Sequence, residues 1–128
     1  MIKTAADLSP AEIEKYARGA RERAQASREH LEARRLRAWE IARKAASLLK
    51  EQFKARRVVL FGSLTQGPDR FYIRSDIDLA AWGLDERLYV RALGQLMDLD
   101  PALEVDLVES EFARPEILKA IERDGIEL

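Results

Sequence analysis

The residue types best suited to chemistry are two aspartates, Asp76 and Asp78, which stand one residue apart in the stretch Ser75–Leu79. Alternate side chains of a β-strand point to the same face, so the two carboxylates lie on one face, about 7 Å apart. Ile77 and Leu79 then point to the opposite face, toward a core. Two carboxylates this close repel each other unless a cation lies between them. Because Mg²⁺ accepts carboxylate and phosphate oxygens as ligands, the pair predicts a metal site.

A third carboxylate, Asp106, follows in the stretch Glu104–Val108. Val105 and Leu107 alternate with it and form the buried side of a predicted strand, so Asp106 lies on the face opposite them. If this strand pairs beside the strand of the first two aspartates, three carboxylates converge above one sheet.

A Gly-Ser pair, Gly62 and Ser63, comes directly after the apolar stretch Val58–Phe61. Glycine allows a close backbone approach to a ligand, and the serine hydroxyl can donate a hydrogen bond to a phosphate oxygen. Each feature alone is common in tight turns. Together with three carboxylates, the pair predicts a site for a nucleoside triphosphate and a metal, and hence nucleotidyl transfer.

Competing catalytic motifs are absent from the sequence. It contains no G-x-x-x-x-G-K-[ST] phosphate loop, no G-x-G-x-x-G and no H-E-x-x-H. The single histidine, His30, falls in the basic N-terminal region, where we expect it to be solvated. Ser63 has no histidine neighbour to activate it, which disfavours nucleophilic serine catalysis.

At these residues the sequence resembles the minimal nucleotidyltransferases (MNT), which are small members of the polymerase-beta-like superfamily. The motif of that family is Gly-Ser, a spacer, Asp-X-Asp and a later Asp on a strand. In this chain the motif reads Gly62-Ser63, Asp76-Ile77-Asp78 and Asp106. The resemblance runs from about Leu48 to the C-terminus and leaves out the N-terminal third. It implies Mg²⁺, ATP as the usual nucleotide, and transfer of a nucleoside monophosphate to a hydroxyl group.

Many such domains resemble antitoxins that pair with a HEPN-type RNase toxin and adenylylate a tyrosine on it. The hypothesis drawn from this resemblance assigns a role to each motif residue. Asp76 and Asp78 hold the metals that bind the triphosphate, and Asp106 joins the metal site and helps to deprotonate the attacking hydroxyl. Gly62 and Ser63 hold the β- and γ-phosphates.

The spacer Leu64–Ser75 has twelve residues and is longer than the family's usual spacer. Arginines that often follow the serine in the family are replaced here by leucine, threonine and glutamine, and Arg70 and Arg74 are candidates to supply the missing charge. Tyr72 is interpreted as a loop residue anchored to the core. These departures leave open a second hypothesis, in which an inactive binding module neutralises its partner by contact through an N-terminal helical arm. A third, transfer to a small-molecule hydroxyl such as that of an aminoglycoside, is disfavoured because those enzymes need a second domain.

The element that precedes the motif is a long helix. Ser9 is its predicted cap, Pro10 takes the first helical position, and Glu12 completes a capping box. Good helix formers continue without a proline to about Phe53. We assign residues 1–40 to a helical arm and residues 41–128 to the nucleotidyltransferase domain.

The arm carries a thin seam of mostly small residues at helical spacing. Its members are Ile13, Ala17, Ala20, Ala24, Ser27 and Leu31. Such a seam buries little area, so the arm either docks on another chain, including a second copy, or folds back as a hairpin near Gly19 or Ser27, or stays a solvated helix.

Charge divides the chain unevenly, with a net +7 over residues 1–57 and −8 over residues 58–128. The basic part suits an acidic partner or phosphate. Glutamates interleave with the arginines of the arm and can pair with them along the helix, which disfavours a nucleic-acid partner.

The remaining pattern predicts an α/β fold, with a small mixed β-sheet of three or four strands, helices packed on one side and the long N-terminal helix. Helices are predicted from Asp85 and from Pro115, and a short edge strand over residues 126–128. The sequence has no cysteine, no apolar stretch near the roughly 20 residues of a membrane span and no secretory signal at its N-terminus. We therefore expect a cytoplasmic protein with no membrane partner.

Overall fold

The computed structural model describes Ile2 and residues 4–128. In this described part of the chain, three α-helices and four strands carry the fold, joined by short 3₁₀ turns. The helices are α1 (Pro10–Gln52), α2 (Tyr89–Met97) and α3 (Pro115–Asp124), and the strands are β1 (Arg57–Phe61), β2 (Ile77–Trp82), β3 (Val105–Glu109) and β4 (Ile126–Glu127). The predicted α/β class with a long N-terminal helix is confirmed. Within the described residues, no helix combines the length and apolarity needed to cross a membrane.

The start of α1 is fixed by the predicted capping box. The Ser9 backbone N–H donates to Glu12 Oε2 at 3.3 Å, and the Glu12 backbone N–H donates to Ser9 Oγ at 3.2 Å. Pro10 is the first helical residue, where its missing N–H costs nothing. The helix continues through Gly19 and Ser27, so the hairpin considered for the arm is wrong.

The described chain divides into two compact units, one up to Ala33 and one comprising Arg34–Leu128. In the first unit the helix is exposed over most of its length, and polar side chains contact one another along it: Arg21 pairs with Glu14 at 2.9 Å, and Gln25 Nε2 donates to Glu29 at 2.9 Å. In the second unit the same helix contributes a buried stripe. Its members are Ala38, Ile41, Ala42, Ala45, Ala46 and Leu49.

The sheet has the order β3-β2-β1-β4. β1 runs antiparallel to both β2 and β4, whereas β2 and β3 are parallel. The predicted edge strand near the C-terminus is therefore confirmed as β4. The parallel pair matters most for the site, because it places the strand that bears Asp106 directly beside the strand that bears Asp78.

The sheet is covered on both faces. Val59, Phe61 and Ala80 form one cluster with Ile121 of α3, on the face that also carries Asp78. On the other face Val58 and Leu60 have no exposed surface, and α1 and α2 supply buried side chains to the core. The expectation that helices pack on one side only is thus wrong. The uninterrupted apolar run of β1 is typical of a strand buried on both faces.

Candidate active site

The site begins where β1 ends. Gly62 has φ +82° and ψ −155°, a backbone conformation that side chains with a Cβ rarely adopt. It caps a single 3₁₀ turn, Ser63–Gln66, in which the Thr65 backbone N–H and hydroxyl both donate to the Gly62 carbonyl, at 3.2 and 2.9 Å. A Cβ on residue 62 would lie 2.2 Å from Asp78 Oδ2. The glycine therefore serves both the turn and the close approach to the aspartate.

Asp78 is the most perturbed carboxyl group of the site. It lies in β2, opposite Phe61 of β1 and in register with Asp106 of β3. Its side chain is partly buried, and burial raises the pKa of Asp78 to about 6, with the negative charges of Asp106 and Asp76 as further causes. Part of the Asp78 population is consequently protonated near pH 6, and a bound cation would favour the ionised form.

Asp106 lies in β3 as the register partner of Asp78. Its pKa is also raised, by partial desolvation first and then by the negative charges of Asp76 and Glu104 and a hydrogen bond with Asp76. In-register residues of parallel strands point to the same face of the sheet. The sequence predicted that the carboxylates converge only if their two strands pair. β2 and β3 do pair, so Asp78 and Asp106 lie on the same face of the sheet.

Asp76 precedes β2 by one residue and is half-buried. It contributes negative charge at both Asp78 and Asp106, which places the three carboxyl groups in one electrostatic cluster. The adjacent Ile77 backbone N–H donates to the Glu104 carbonyl at 2.9 Å. This bond ties the segment that carries Asp76 to the segment that leads into β3.

Ser63 is half-buried at the first position of the 3₁₀ turn, directly after the glycine. The spacer that follows is anchored by two apolar side chains, Leu64 and Phe71, which are 2% and 1% exposed. Tyr72 is 61% exposed, so its interpretation as the core anchor is wrong: Phe71 is the anchor. The Tyr72 backbone N–H donates to Ser75 Oγ at 2.8 Å. Arg70 and Arg74 of the spacer are both exposed.

The donor set fits a hard divalent cation that arrives with a nucleotide. Within the described part of the chain, no three His, Cys, Asp or Glu side chains form a ready-made metal cage. Mg²⁺ does not require one, since it binds through one or two carboxylates together with substrate phosphates and water. Burial first, and then the negative charges of the neighbouring carboxylates, raise the pKa values of Asp78 and Asp106, and such a cation would favour their ionised forms.

Two contributions to the site were missed in the sequence. Glu104, interpreted only as the start of a strand, adds negative charge beside Asp106 and accepts the Ile77 hydrogen bond. Arg34 was grouped with the charged helix face, yet its guanidinium contacts backbone carbonyls next to the site, Ala102 O at 2.6 Å and Ser75 O at 3.5 Å. No local pattern identifies such contacts, because they join residues far apart in the chain.

Comparison with protein families explains this geometry. The family model described as polymerase beta, nucleotidyltransferase matches residues 43–128, about two thirds of the chain. The chain belongs to the polymerase beta nucleotidyltransferase family. The matched residues include the Gly-Ser turn and all three aspartates. A comparison with curated proteins finds no match.

Solved structures similar to this nucleotidyltransferase include toxin–antitoxin complexes. One is a toxin–antitoxin with AMP-PNP, at 26% identity and TM-score 0.56, covering 67% of this chain and 70% of that chain. A mutant of the toxin–antitoxin MntA-HpeT is 25% identical with TM-score 0.55 and the same coverage. The tri-AMPylated Shewanella oneidensis HEPN toxin in complex with MNT antitoxin is similar in fold, at 23% identity and TM-score 0.52, covering 70% of each chain.

Proposed function

We propose that this nucleotidyltransferase is an antitoxin that transfers AMP from ATP to a tyrosine hydroxyl of a HEPN-type toxin. The observation that carries the proposal is the register of Asp78 with Asp106, beside a glycine whose backbone approaches Asp78 too closely for any Cβ. The similar structures that hold AMP-PNP or an AMPylated HEPN toxin support the choice of nucleotide, group and acceptor. The proposal places the reaction in the cytoplasm, where ATP is available.

The Gly-Ser turn is the proposed phosphate-binding element. Gly62 forms the turn and lets the Asp78 carboxylate lie against its backbone, beside the position proposed for the phosphates. The Ser63 hydroxyl donates to an oxygen of the β- or γ-phosphate. Arg70 and Arg74 are exposed on the same spacer and are candidates to add positive charge, in place of the arginines that are absent directly after the serine.

The aspartates have separate roles in the transfer. Asp76 and Asp78 would hold Mg²⁺, which when bound offsets the triphosphate charge and stabilises the attacking and leaving oxygens. Asp106 accepts the proton of the attacking tyrosine hydroxyl as a general base. The tyrosine oxygen forms a bond to the α-phosphorus, the bond from that phosphorus to the β-phosphate oxygen breaks, and pyrophosphate leaves.

A transfer assay tests the proposal. The protein is incubated with Mg²⁺, ATP labelled at the α-phosphate and its HEPN-type partner, and the partner is analysed for label and for AMP on tyrosine. We expect label on the partner with the native protein and its loss with Asp76→Ala. Absence of transfer, or equal transfer by Asp76→Ala, would reject the enzymatic proposal.

Neutralisation by contact alone is the second candidate function. The exposed side chains of the unit up to Ala33, Ile13 at 51% and Tyr16 at 66%, favour it, because they are available to a partner chain. If contact suffices, Asp78→Asn leaves neutralisation intact, whereas deletion of residues 1–33 abolishes complex formation. A toxin that remains neutralised by the truncated protein would exclude neutralisation through the N-terminal unit. Binding to a second copy through the same surface stays a prediction.

A further inference from the structure

Arg34 of α1 reaches two loops that precede the strands bearing Asp78 and Asp106. Its Nη1 donates to the Ala102 carbonyl at 2.6 Å, and its Nη2 lies 3.5 Å from the Ser75 carbonyl. The two carbonyls are contacted by different nitrogens of one planar group, which is the geometry that distinguishes arginine from lysine. Arg34 therefore connects two segments that are 27 positions apart in the sequence.

Both segments lead directly into strands of the site. Ser75 is the residue before Asp76, and Ala102 lies in the turn before β3, four positions ahead of Asp106. The segments also bond to each other, because the Ile77 backbone N–H donates to the Glu104 carbonyl at 2.9 Å. The position of Asp76 relative to Asp106 thus depends on where these two loops are held.

A second arginine of the same helix holds the same turn. Arg37 Nε donates to Asp100 Oδ2 at 3.2 Å, and Asp100 in turn accepts the Ala102 backbone N–H at 2.9 Å and, through its carbonyl, the Leu103 backbone N–H at 3.2 Å. The turn before β3 is therefore ordered internally and fastened to α1 at two points.

Burial of the Arg34 Nε has a cost that points to a role beyond stability. Its Nε is buried and has no hydrogen-bond partner among the described residues. An unpaired buried donor opposes folding, so an apolar residue of similar size would suit this position better if packing were its only purpose. Arg34 also lies outside residues 43–128, the part that matches the family model, so no property of the family assigns it.

We propose that Arg34 is a positioning residue, which clamps the Ser75 and Ala102 loops and so sets the spacing of Asp76 and Asp106. This inference rests on the proposed nucleotidyl transfer for its functional meaning, while the clamp itself is a property of the fold. Lysine keeps the charge at this position but offers a single ammonium group, which cannot donate to both carbonyls in the same fork.

Hydrogen exchange and nucleotide binding of the full chain test the clamp. In Arg34→Met we expect the Ile77 and Leu103 amides to exchange about tenfold faster and Mg²⁺·AMP-PNP to bind about tenfold more weakly, the scale of one lost charged hydrogen bond. Arg34→Lys should restore little of either. The Gly83 amide, which donates to Glu111 at 2.7 Å, serves as an internal reference and should not change.

Arg28→Met is the matched control. Arg28 is an exposed arginine of the same helix whose Nη2 donates to Gln25, one turn away, at 2.6 Å. We expect it to leave exchange and nucleotide binding at native values. Native exchange at Ile77 and Leu103 in Arg34→Met would overturn the clamp, and so would full recovery in Arg34→Lys, which would make charge alone sufficient. If the native protein bound no nucleotide, the proposed function would fail, while the exchange rates would still decide the clamp.

Discussion

At the scale of single residues, the site depends on a contact between a backbone and a carboxyl group. Gly62 combines a positive φ with a hypothetical Cβ position 2.2 Å from Asp78 Oδ2, so another residue type would strain the backbone and displace that carboxylate. The sequence indicated a glycine turn and a ligand approach. It could not indicate that the approach is to Asp78, because this follows only from the pairing of β1 with β2.

The first prediction concerns that glycine. We expect Gly62→Ala to reduce the free energy of unfolding by about 1–3 kcal/mol, from backbone strain and displacement of Asp78, and to abolish nucleotide binding. Gly94→Ala is the control, since a Cβ at that position in α2 meets nothing within 4 Å and alanine favours a helix. Urea unfolding and AMP-PNP titration measure both variants. An unaffected Gly62→Ala protein would contradict the proposed geometry.

The second prediction concerns Asp78 and pH. Its pKa is raised from 3.8 to about 6, so the folded state binds this proton more tightly than the unfolded state, and stability falls as pH rises through that window. An asparagine side chain cannot ionise, so Asp78→Asn removes this decrease in stability with pH. The variant should be more stable than the native protein above pH 6 by on the order of 1–3 kcal/mol, while transfer activity disappears. Near pH 4 the two proteins should be equally stable. Urea unfolding from pH 4 to pH 8 measures the difference, and a variant that is less stable than native at pH 8 would contradict the cause assigned to the shift.

At the scale of elements, the sequence predicted the strands well and their environment less well. The strand that bears Asp106 was predicted over Glu104–Val108 and lies over Val105–Glu109, one residue later at each end. The alternation around Asp78 correctly indicated which side carries the carboxylates. It did not indicate that the face of Asp78 continues with the apolar residues Ala80 and Trp82, which pack with Ile121 of α3.

The third prediction concerns the anchor of the twelve-residue spacer. Phe71 is 1% exposed and Tyr72 is 61% exposed, so two neighbouring aromatic residues have opposite environments. Phe71→Ala should reduce the free energy of unfolding by about 3 kcal/mol or more, because it leaves a cavity under the loop that leads to Asp76. Tyr72→Ala should change it by less than about 0.5 kcal/mol. Urea unfolding compares the two variants, and equal destabilisation would show that the spacer is not held as described.

At the scale of the whole molecule, the two units carry different proposed functions: partner contact for the unit up to Ala33, and nucleotidyl transfer for the unit Arg34–Leu128. The unit up to Ala33 exposes its side chains, whereas the helix residues from Arg34 onward belong to the unit of the sheet. The domain boundary near residue 40 stays a prediction. The contact between Arg34 and Ala102, which stands 68 positions later, could not be predicted from helical periodicity. Periodicity shows which residues share a face of the helix but not what that face contacts.

The fourth prediction uses two truncations. A protein of residues 34–128 should unfold cooperatively and bind Mg²⁺·AMP-PNP as the full chain does, because it retains the whole second unit. A protein of residues 38–128 lacks Arg34 and Arg37 and should bind the nucleotide more weakly. Calorimetry measures both properties. If both truncations bind equally well, Arg34 and Arg37 have no part in shaping the site; if residues 34–128 do not fold, that segment is not an autonomous unit.

The central claim is that Asp76, Asp78 and Asp106 form one metal–nucleotide site beside Gly62. Its most direct test is NMR spectroscopy of the full chain with Mn²⁺ and AMP-PNP, since the unpaired electrons of Mn²⁺ broaden signals only near the bound metal. The account predicts that the carboxyl signals of the three aspartates and the Gly62 amide broaden together, at low Mn²⁺ and only when nucleotide is present. Broadening that spares Asp106, or that appears first at Glu109 and Glu111, at and beyond the far end of β3, would contradict it.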